Sequence, residues 1–222
     1  NYPERHFYLD THGRRNSGEF RYGGWQGAAF IKTMILEGIV TTVNDGGGVN
    51  ISPMGPRVTA EMRELVLRPY QTSTTYRNLK RTGQGVFHVT DDVELLARAA
   101  IGQVDPPPEM MPAQKVEGWI LAGACRWYAF RVRELDDREP RTTIVADVVD
   151  HGRLRDFFGF NRAKHAVVEA AILATRTHLL PAGEIRAEFA RLAVLVEKTG
   201  GDEERRAWAL LERHIRPAIG EG

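Results

Sequence analysis

The chain has 222 residues, of which 42% are apolar and 27% charged, a balance that supports a full hydrophobic core and excludes wholesale disorder. Its 30 basic and 29 acidic residues leave a formal charge of +1, so no global field recruits nucleic acid or an anionic membrane. The single cysteine, Cys125, excludes an intrachain disulfide framework and a cysteine zinc cage, and makes the cytoplasm the expected compartment.

Residues 1–33 include Arg5, Arg14, Arg15, Glu19 and Arg21 and lack the apolar segment of a signal peptide. Regular patterning starts at Met34-Ile35-Leu36, so 1–33 is expected to be an N-terminal extension or an arm packed on the domain. Nowhere does an apolar run reach transmembrane length. Residues 35–43 alternate Ile35, Glu37, Ile39 and Thr41 against Leu36, Gly38, Val40 and Thr42, the period of a strand. Asn44-Asp45-Gly46-Gly47-Gly48 then signals a hairpin, because these residues tolerate positive φ. Val49-Asn50-Ile51-Ser52 is the returning strand, with Pro53 expected to stop it. Segments 64–68, 85–89, 126–135 and 142–149 complete about six strands, the spacing of a small antiparallel barrel.

Two helices interrupt these strands. Residues 75–82 form the first, with Thr74 or Thr75 as N-cap and Gly83 as the C-terminal stop. Residues 93–101 form the second, capped by Asp91 or Asp92. Asp105-Pro106-Pro107-Pro108-Glu109-Met110-Met111-Pro112 reads as an extended surface loop, since proline supplies no N–H. From Asn161 the period becomes helical. Ala163, Ala166, Val167, Ala170, Ala171 and Ala174 make one stripe, and Ile185, Phe189, Leu192 and Val196 the next. Gly200-Gly201 ends that helix, Asp202 is expected to cap a third, and Trp208, Leu211 and Ile215 give its buried face. The boundaries are thus an arm at 1–33, a barrel at 34–155 and a helical C-terminal subdomain at 156–222. The helical stripes need a partner, either the barrel or a second subunit.

Two segments carry candidate chemistry. Arg68-Pro69-Tyr70-Gln71-Thr72-Ser73-Thr74-Thr75-Tyr76-Arg77-Asn78 places four consecutive hydroxyl residues at a helix start. Free N–H groups and the positive end of the helix dipole face this loop, and Arg68 or Arg77 adds charge. That is a nest for a phosphate monoester, or else an ordinary helix cap. Asn50-Ile51-Ser52-Pro53-Met54-Gly55-Pro56 follows an irregular path that can present backbone groups to a flat heterocycle; read alone, it is a turn. Glu37, in an apolar strand, is either solvated at a barrel mouth or bonded near a ligand. Cys125 reads as a buried small side chain. Seven histidines show no metal-ligand spacing, so no metal site is expected. Arg162, at a helix start, reaches a ligand anion, caps an acidic neighbour or stays solvated.

Taken in order, Val49–Gly55, Thr75–Leu79, Gly83 and Val86–Val89 resemble the flavin-reductase-like FMN-binding split barrels. More specifically the chain resembles the domain-of-unknown-function family numbered 447. That likeness rests on residues 34–42, 50–56 and 74–79, then Ala146-Asp147-Val148-Val149, Gly159-Phe160-Asn161-Arg162-Ala163, Glu169-Ala170-Ala171-Ile172 and Thr175-Arg176. The resemblance implies a split β-barrel with a helical C-terminal subdomain that binds FMN as a homodimer, with sites at the subunit interface. It implies that the strand end, Asn50, Ile51, Ser52, Pro53 and Met54, lies along the isoalloxazine. Arg68, Gln71, Thr72, Ser73, Thr74, Thr75 and Asn78 are the expected phosphate-side contacts, with Arg162 a further candidate from its place at a helix start. Two departures stand out: His88 where such reductases often have Asn, and Ser73-Thr74 where they often carry Lys or Arg. The expected function is an FMN-dependent oxidoreductase or flavin reductase of unknown substrate, with a nicotinamide or other redox donor as partner. The alternatives are a non-catalytic flavin-binding module, acting as carrier, sensor or assembly partner, and a split barrel that takes deazaflavin or another phosphorylated cofactor.

Overall fold

The computed structural model describes residues 33–220. The expectation for 1–33 therefore lies, but for Thr33, outside the described residues. Strand β1 (Met34–Ile35) is followed by β2 (Gly38–Val43), β3 (Val49–Met54), β4 (Arg57–Val58) and β5 (Glu64–Leu67). Helix α1 (Thr74–Thr82), β6 (Gln84–Val89) and α2 (Val93–Ala100) come next. Then follow β7 (Met110–Pro112), β8 (Trp119–Leu121), β9 (Arg126–Asp136) and β10 (Thr143–Arg153). Three helices end the chain: α3 (Arg162–Ala174), α4 (Ala182–Thr199) and α5 (Asp202–Ile215). Eight strands make one antiparallel sheet in the order β1-β4-β5-β10-β9-β6-β2-β3, and β7 pairs with β8. The sheet curls into a split barrel.

The curl is closed by two short crossovers. The expected continuous strand 35–43 breaks at Leu36-Glu37, because there the chain passes from one sheet edge to the other. Residues Gly55-Pro56 make the same passage between β3 and β4, and the Leu36 N–H donates to Pro56 O at 3.1 Å. Gly55 is required at this seam: a Cβ would sit 2.8 Å from both the Glu37 carboxylate and Ile35. Pro53 does not stop β3 but pairs with Ile39 inside it. An edge strand turns half of its N–H groups away from the ladder, so a proline is tolerated there.

Alternation sorts the sheet into two faces. Val40, Leu65, Leu67, Phe87, Phe130 and Ile144 fill the barrel interior. Ile39, with Ile51 packed alongside, joins α2, α3, α4 and α5 in a separate core outside it. The alanine stripe of α3 is at most 3% exposed, and small side chains let the helix backbones approach closely. The partner these stripes needed is thus the outer barrel face plus α2, within the same chain. Lys164 of α3 ties this layer together. It donates to Asp91 O at 2.7 Å and pairs with Glu204 at 2.8 Å and Glu203 at 3.2 Å. Burial lowers the pKa of the Lys164 ammonium, but its bonds to Glu204 and Glu203 outweigh this and leave the pKa raised.

Local structure differs from expectation in three places, at the starts of α1 and α5 and at β7. Ser73, not Thr74 or Thr75, caps α1, and its side chain accepts from Tyr76 N–H. Asp92 caps α2. Asp91 instead binds the Arg155 guanidinium and the Phe158 N–H, fixing the segment that leads into α3. Gly201 precedes α5, where the Glu204 side chain rather than Asp202 accepts the exposed N–H of Gly201 at 2.8 Å. Met110–Pro112, read as loop, is β7; a two-stranded ribbon needs few ladder bonds and admits Pro112 at its end. Gly83 does stop α1, at φ 65°.

His88 holds the β7–β8 ribbon to the barrel. It is 0% exposed. One ring nitrogen, Nδ1, lies 3.1 Å from Ile39 O, and Nε2 accepts the Leu121 N–H at 3.1 Å. The ring is therefore neutral, with its proton on Nδ1. Burial pulls its pKa down to about 4, against a smaller upward pull from Ile39 O. The unfolded chain binds this proton near pH 6.5, so the contribution is full above that value and is lost as pH falls toward 4. It amounts to about 3 kcal/mol. Urea unfolding across that range should show wild-type stability falling by this much more than that of His88→Gln, which is less stable at neutral pH. Parallel pH curves for the two proteins would contradict the assignment.

Candidate functional site

Helix α1 lies across the end of the barrel, against β2 and β3, and a network of neutral polar groups holds it there. Thr42 Oγ1 on β2 accepts from Asn50 Nδ2 at 3.3 Å and from Asn78 Nδ2 at 2.9 Å. The Asn78 amide also donates to Asn44 Oδ1 at 2.9 Å, and the Asn50 amide to Thr75 Oγ1 at 3.1 Å. Thr42, Thr75 and Asn78 are buried. Of the residues anticipated from sequence, the structure thus brings Asn50, Thr75 and Asn78 together. Thr42 and Asn44 were missed. Their signal was the strand alternation that turns Thr42 to the Val40 face, and the hairpin turn that places Asn44 beside it.

The N-terminal turn of α1 is open. Ser73 Oγ donates to Tyr70 O at 2.7 Å and accepts from Tyr76 N–H at 3.1 Å. Among the described residues the N–H groups of Thr74 and Thr75 have no acceptor, as expected for a first helical turn. Arg77 folds back over this turn, with guanidinium bonds of 3.0 Å to Thr72 O and to Thr74 Oγ1. Two unbonded N–H groups, the helix dipole and a guanidinium therefore converge on one turn, which is partly covered at Thr74 and buried at the Thr75 side chain. That arrangement suits an anion.

Other anticipated residues are placed differently. Register puts Asn50, Ser52 and Met54 opposite Thr42, Val40 and Gly38, on the barrel face. Ile51 and Pro53 point the other way, and Ile51 is taken up by the helical core. Every residue of β3 is only partly covered. The Gln71 amide is committed to the β9–β10 turn, donating to Asp137 O at 2.6 Å and Glu139 O at 3.0 Å. Thr72 is exposed, and Arg68 is partly buried at the end of β5. Arg162 is exposed on the first turn of α3, in the helical layer rather than beside α1. Glu37 stands at the seam. Burial raises its pKa, Glu169 adds to the rise and Arg176 opposes it. Cys125 is buried; burial and the Asp91 charge push its thiol up. Two concavities, of about 340 Å³ and 730 Å³, border α2 and are not lined by these residues. Among the described residues no three His, Cys, Asp or Glu side chains group to hold a metal ion, and no helix is long and apolar enough to cross a membrane.

Residues 36–155 match the family model described as the N-terminal domain of a protein of unknown function (DUF447), and residues 161–213 match its companion, also described as a protein of unknown function (DUF447). The chain belongs to the DUF447 family. A DUF447 relative of known structure, the FMN-bound protein MM1853 from Methanosarcina mazei, is 25% identical, with a TM-score of 0.69 over 83% of this chain and 96% of its own. Flavoredoxin from Methanosarcina acetivorans is 12% identical, covering 59% of this DUF447 chain and 74% of its own at a TM-score of 0.47. The flavin reductase of styrene monooxygenase from Pseudomonas putida S12 is 13% identical, covering 55% and 81% at 0.44. No curated protein matches the sequence.

Thr75 bears directly on how α1 is held. Thr75→Val removes the acceptor of Asn50 at a buried position, which should lower stability without any ligand by about 1–2 kcal/mol. Denaturation of flavin-free protein measures this. An unchanged midpoint would mean that the network does not hold α1.

Proposed function

We propose that this DUF447 protein binds FMN at the α1–β3 edge of the barrel and acts as a flavin-dependent oxidoreductase or flavin reductase. The carrying observation is the coincidence of the open α1 turn with a fold shared, over 83% of the chain, with an FMN-bound member of the same family. The donor set fits the cofactor. The N–H groups of Thr74 and Thr75, with Arg77, would receive the phosphate. Arg77 would thereby supply the cation that Ser73 and Thr74 do not. Asn50, Ser52 and Met54, on one face of a half-covered edge strand, would lie along the flat ring. Ser73 and Gln71 hold the loop rather than the ligand.

Bound FMN would supply the hydride or electron transfer. The chain's own part is orientation. The amides and hydroxyls of Thr42, Asn44, Asn50, Thr75 and Asn78 are neutral near pH 7, so the network holds its shape whatever the flavin's charge. The same neutrality suits a second reading, a flavin-binding module without turnover. Steady-state oxidation of reduced nicotinamides separates the two.

A homodimer completes the proposal, because β3 is only partly covered and a second subunit would cover the ring. The visible spectrum of freshly purified protein, with the released cofactor identified by mass, is the primary test. FMN should bind at least about ten-fold more tightly than riboflavin, and Arg77→Gln should narrow that gap by roughly ten-fold. Equal affinities for the two flavins in the wild type would remove the phosphate assignment. A folded monomer at low micromolar concentration in sedimentation would remove the dimer.

A further inference from the structure

Just before the open turn of α1 stands Tyr70, whose backbone the fold clamps and whose ring is about half uncovered. Tyr70 is 55% exposed. The Arg141 guanidinium lies 5.7 Å from its ring centroid. The two residues also form an isolated antiparallel bridge. On either side the backbone is clamped. Thr142 N–H and Oγ1 both donate to Pro69 O, at 3.0 and 2.8 Å, and Gln71 N–H donates to Pro140 O at 2.9 Å. With the two bonds of the Gln71 amide to Asp137 O and Glu139 O, five hydrogen bonds pin the 69–71 segment onto the β9–β10 turn.

The position is as informative as the rigidity. Tyr70 O accepts both the N–H of Ser73, at 2.9 Å, and its hydroxyl, at 2.7 Å. The Tyr70 backbone therefore lies within one turn of the free N–H groups of Thr74 and Thr75. A lone exposed aromatic is ordinary on a surface. An aromatic paired with a guanidinium, on a clamped backbone next to an anion-binding turn, matches a ligand that joins a flat π-system to a phosphate. Aromatic stacking on a nucleobase is sequence-tolerant and strengthened by a neighbouring guanidinium.

We propose that Tyr70 and Arg141 form a stacking platform for the adenine ring of an adenosine phosphate. The chemistry is shared by two sources, the adenosine half of FAD and that of a reduced nicotinamide dinucleotide. The assignment to a redox partner rests on the flavin reading above; the platform itself does not.

The test titrates the full chain with 5′-AMP, FMN, FAD and NADH by calorimetry, for the wild type, Tyr70→Ala and Tyr70→Phe. 5′-AMP should bind the wild type and Tyr70→Phe alike, and Tyr70→Ala roughly ten-fold more weakly, while FMN affinity stays within about two-fold. A matching loss for FAD alone assigns the platform to the cofactor, and a loss for NADH alone assigns it to the donor. If the wild type does not bind 5′-AMP, or if Tyr70→Ala binds it unchanged, the platform is wrong. If 5′-AMP behaves as expected but FMN does not bind, the flavin reading fails and the platform stands.

Discussion

Thr42 Oγ1 receives two amide bonds at once, one from Asn50 on β3 and one from Asn78 on α1. Those bonds help fix where α1 sits. The helix buries Tyr76 and Leu79 in the barrel core. Its docking combines that apolar contact with buried polar groups that must be satisfied, each costing on the order of 1–3 kcal/mol if left unpaired. With Asn78 inward and Thr75 bonded to Asn50, the N-terminal turn is held against the open edge of the barrel. The orientation of the free N–H groups and the fold-back of Arg77 follow from that docking, while Tyr70 is placed by the bonds of residues 69–71 to the β9–β10 turn.

The opposite face of the same strands does different work. Ile39 and Ile51 turn outward and seal against α2 and the three C-terminal helices. The barrel and the helical layer are thus joined by residues adjacent in sequence to the polar network. His88 repeats the arrangement on β6, where an outward-facing neutral ring binds the β7–β8 ribbon through Leu121. A protonated or apolar residue could not serve, because the site offers one acceptor and one donor. Histidine reaches from β6 to the ribbon, and its ring carries both the donor and the acceptor that the site needs.

A different set of contacts connects the layers at their hinge. Asp91 takes the Arg155 guanidinium and the Phe158 N–H, while Lys164 reaches back to Asp91 O. Burial raises the pKa of the Asp91 carboxyl, but Arg155 and the Phe158 N–H overcome this and hold it down, to about 2. The junction between barrel and helices therefore stays charged and bonded across the physiological range.

Much of this was legible in the residues themselves. The period-2 alternation of 38–43 and the Asn44–Gly48 turn dictated a hairpin. The 3.6-residue stripes of α3, α4 and α5 dictated helices with one apolar face, and Gly83 dictated the end of α1. These are local properties, fixed by backbone sterics and side-chain spacing. The break at Leu36-Glu37 and the passage of β3 through Pro53 were not legible. They depend on which strands become edges, and that is settled when the sheet curls and its two edges are joined by the crossovers at 36–37 and 55–56. The candidate site divides the same way. The hydroxyl run at 72–75 pointed to a helix start with anion-binding capacity. Ser73 caps through a local contact, whereas tertiary packing decided that Thr75 would turn inward to Asn50 and that Gln71 would be spent on the β9–β10 turn. A polar side chain bonds whichever partner the fold brings within about 3 Å, and for these three residues those partners lie 3, 25 and 66 positions away in the chain.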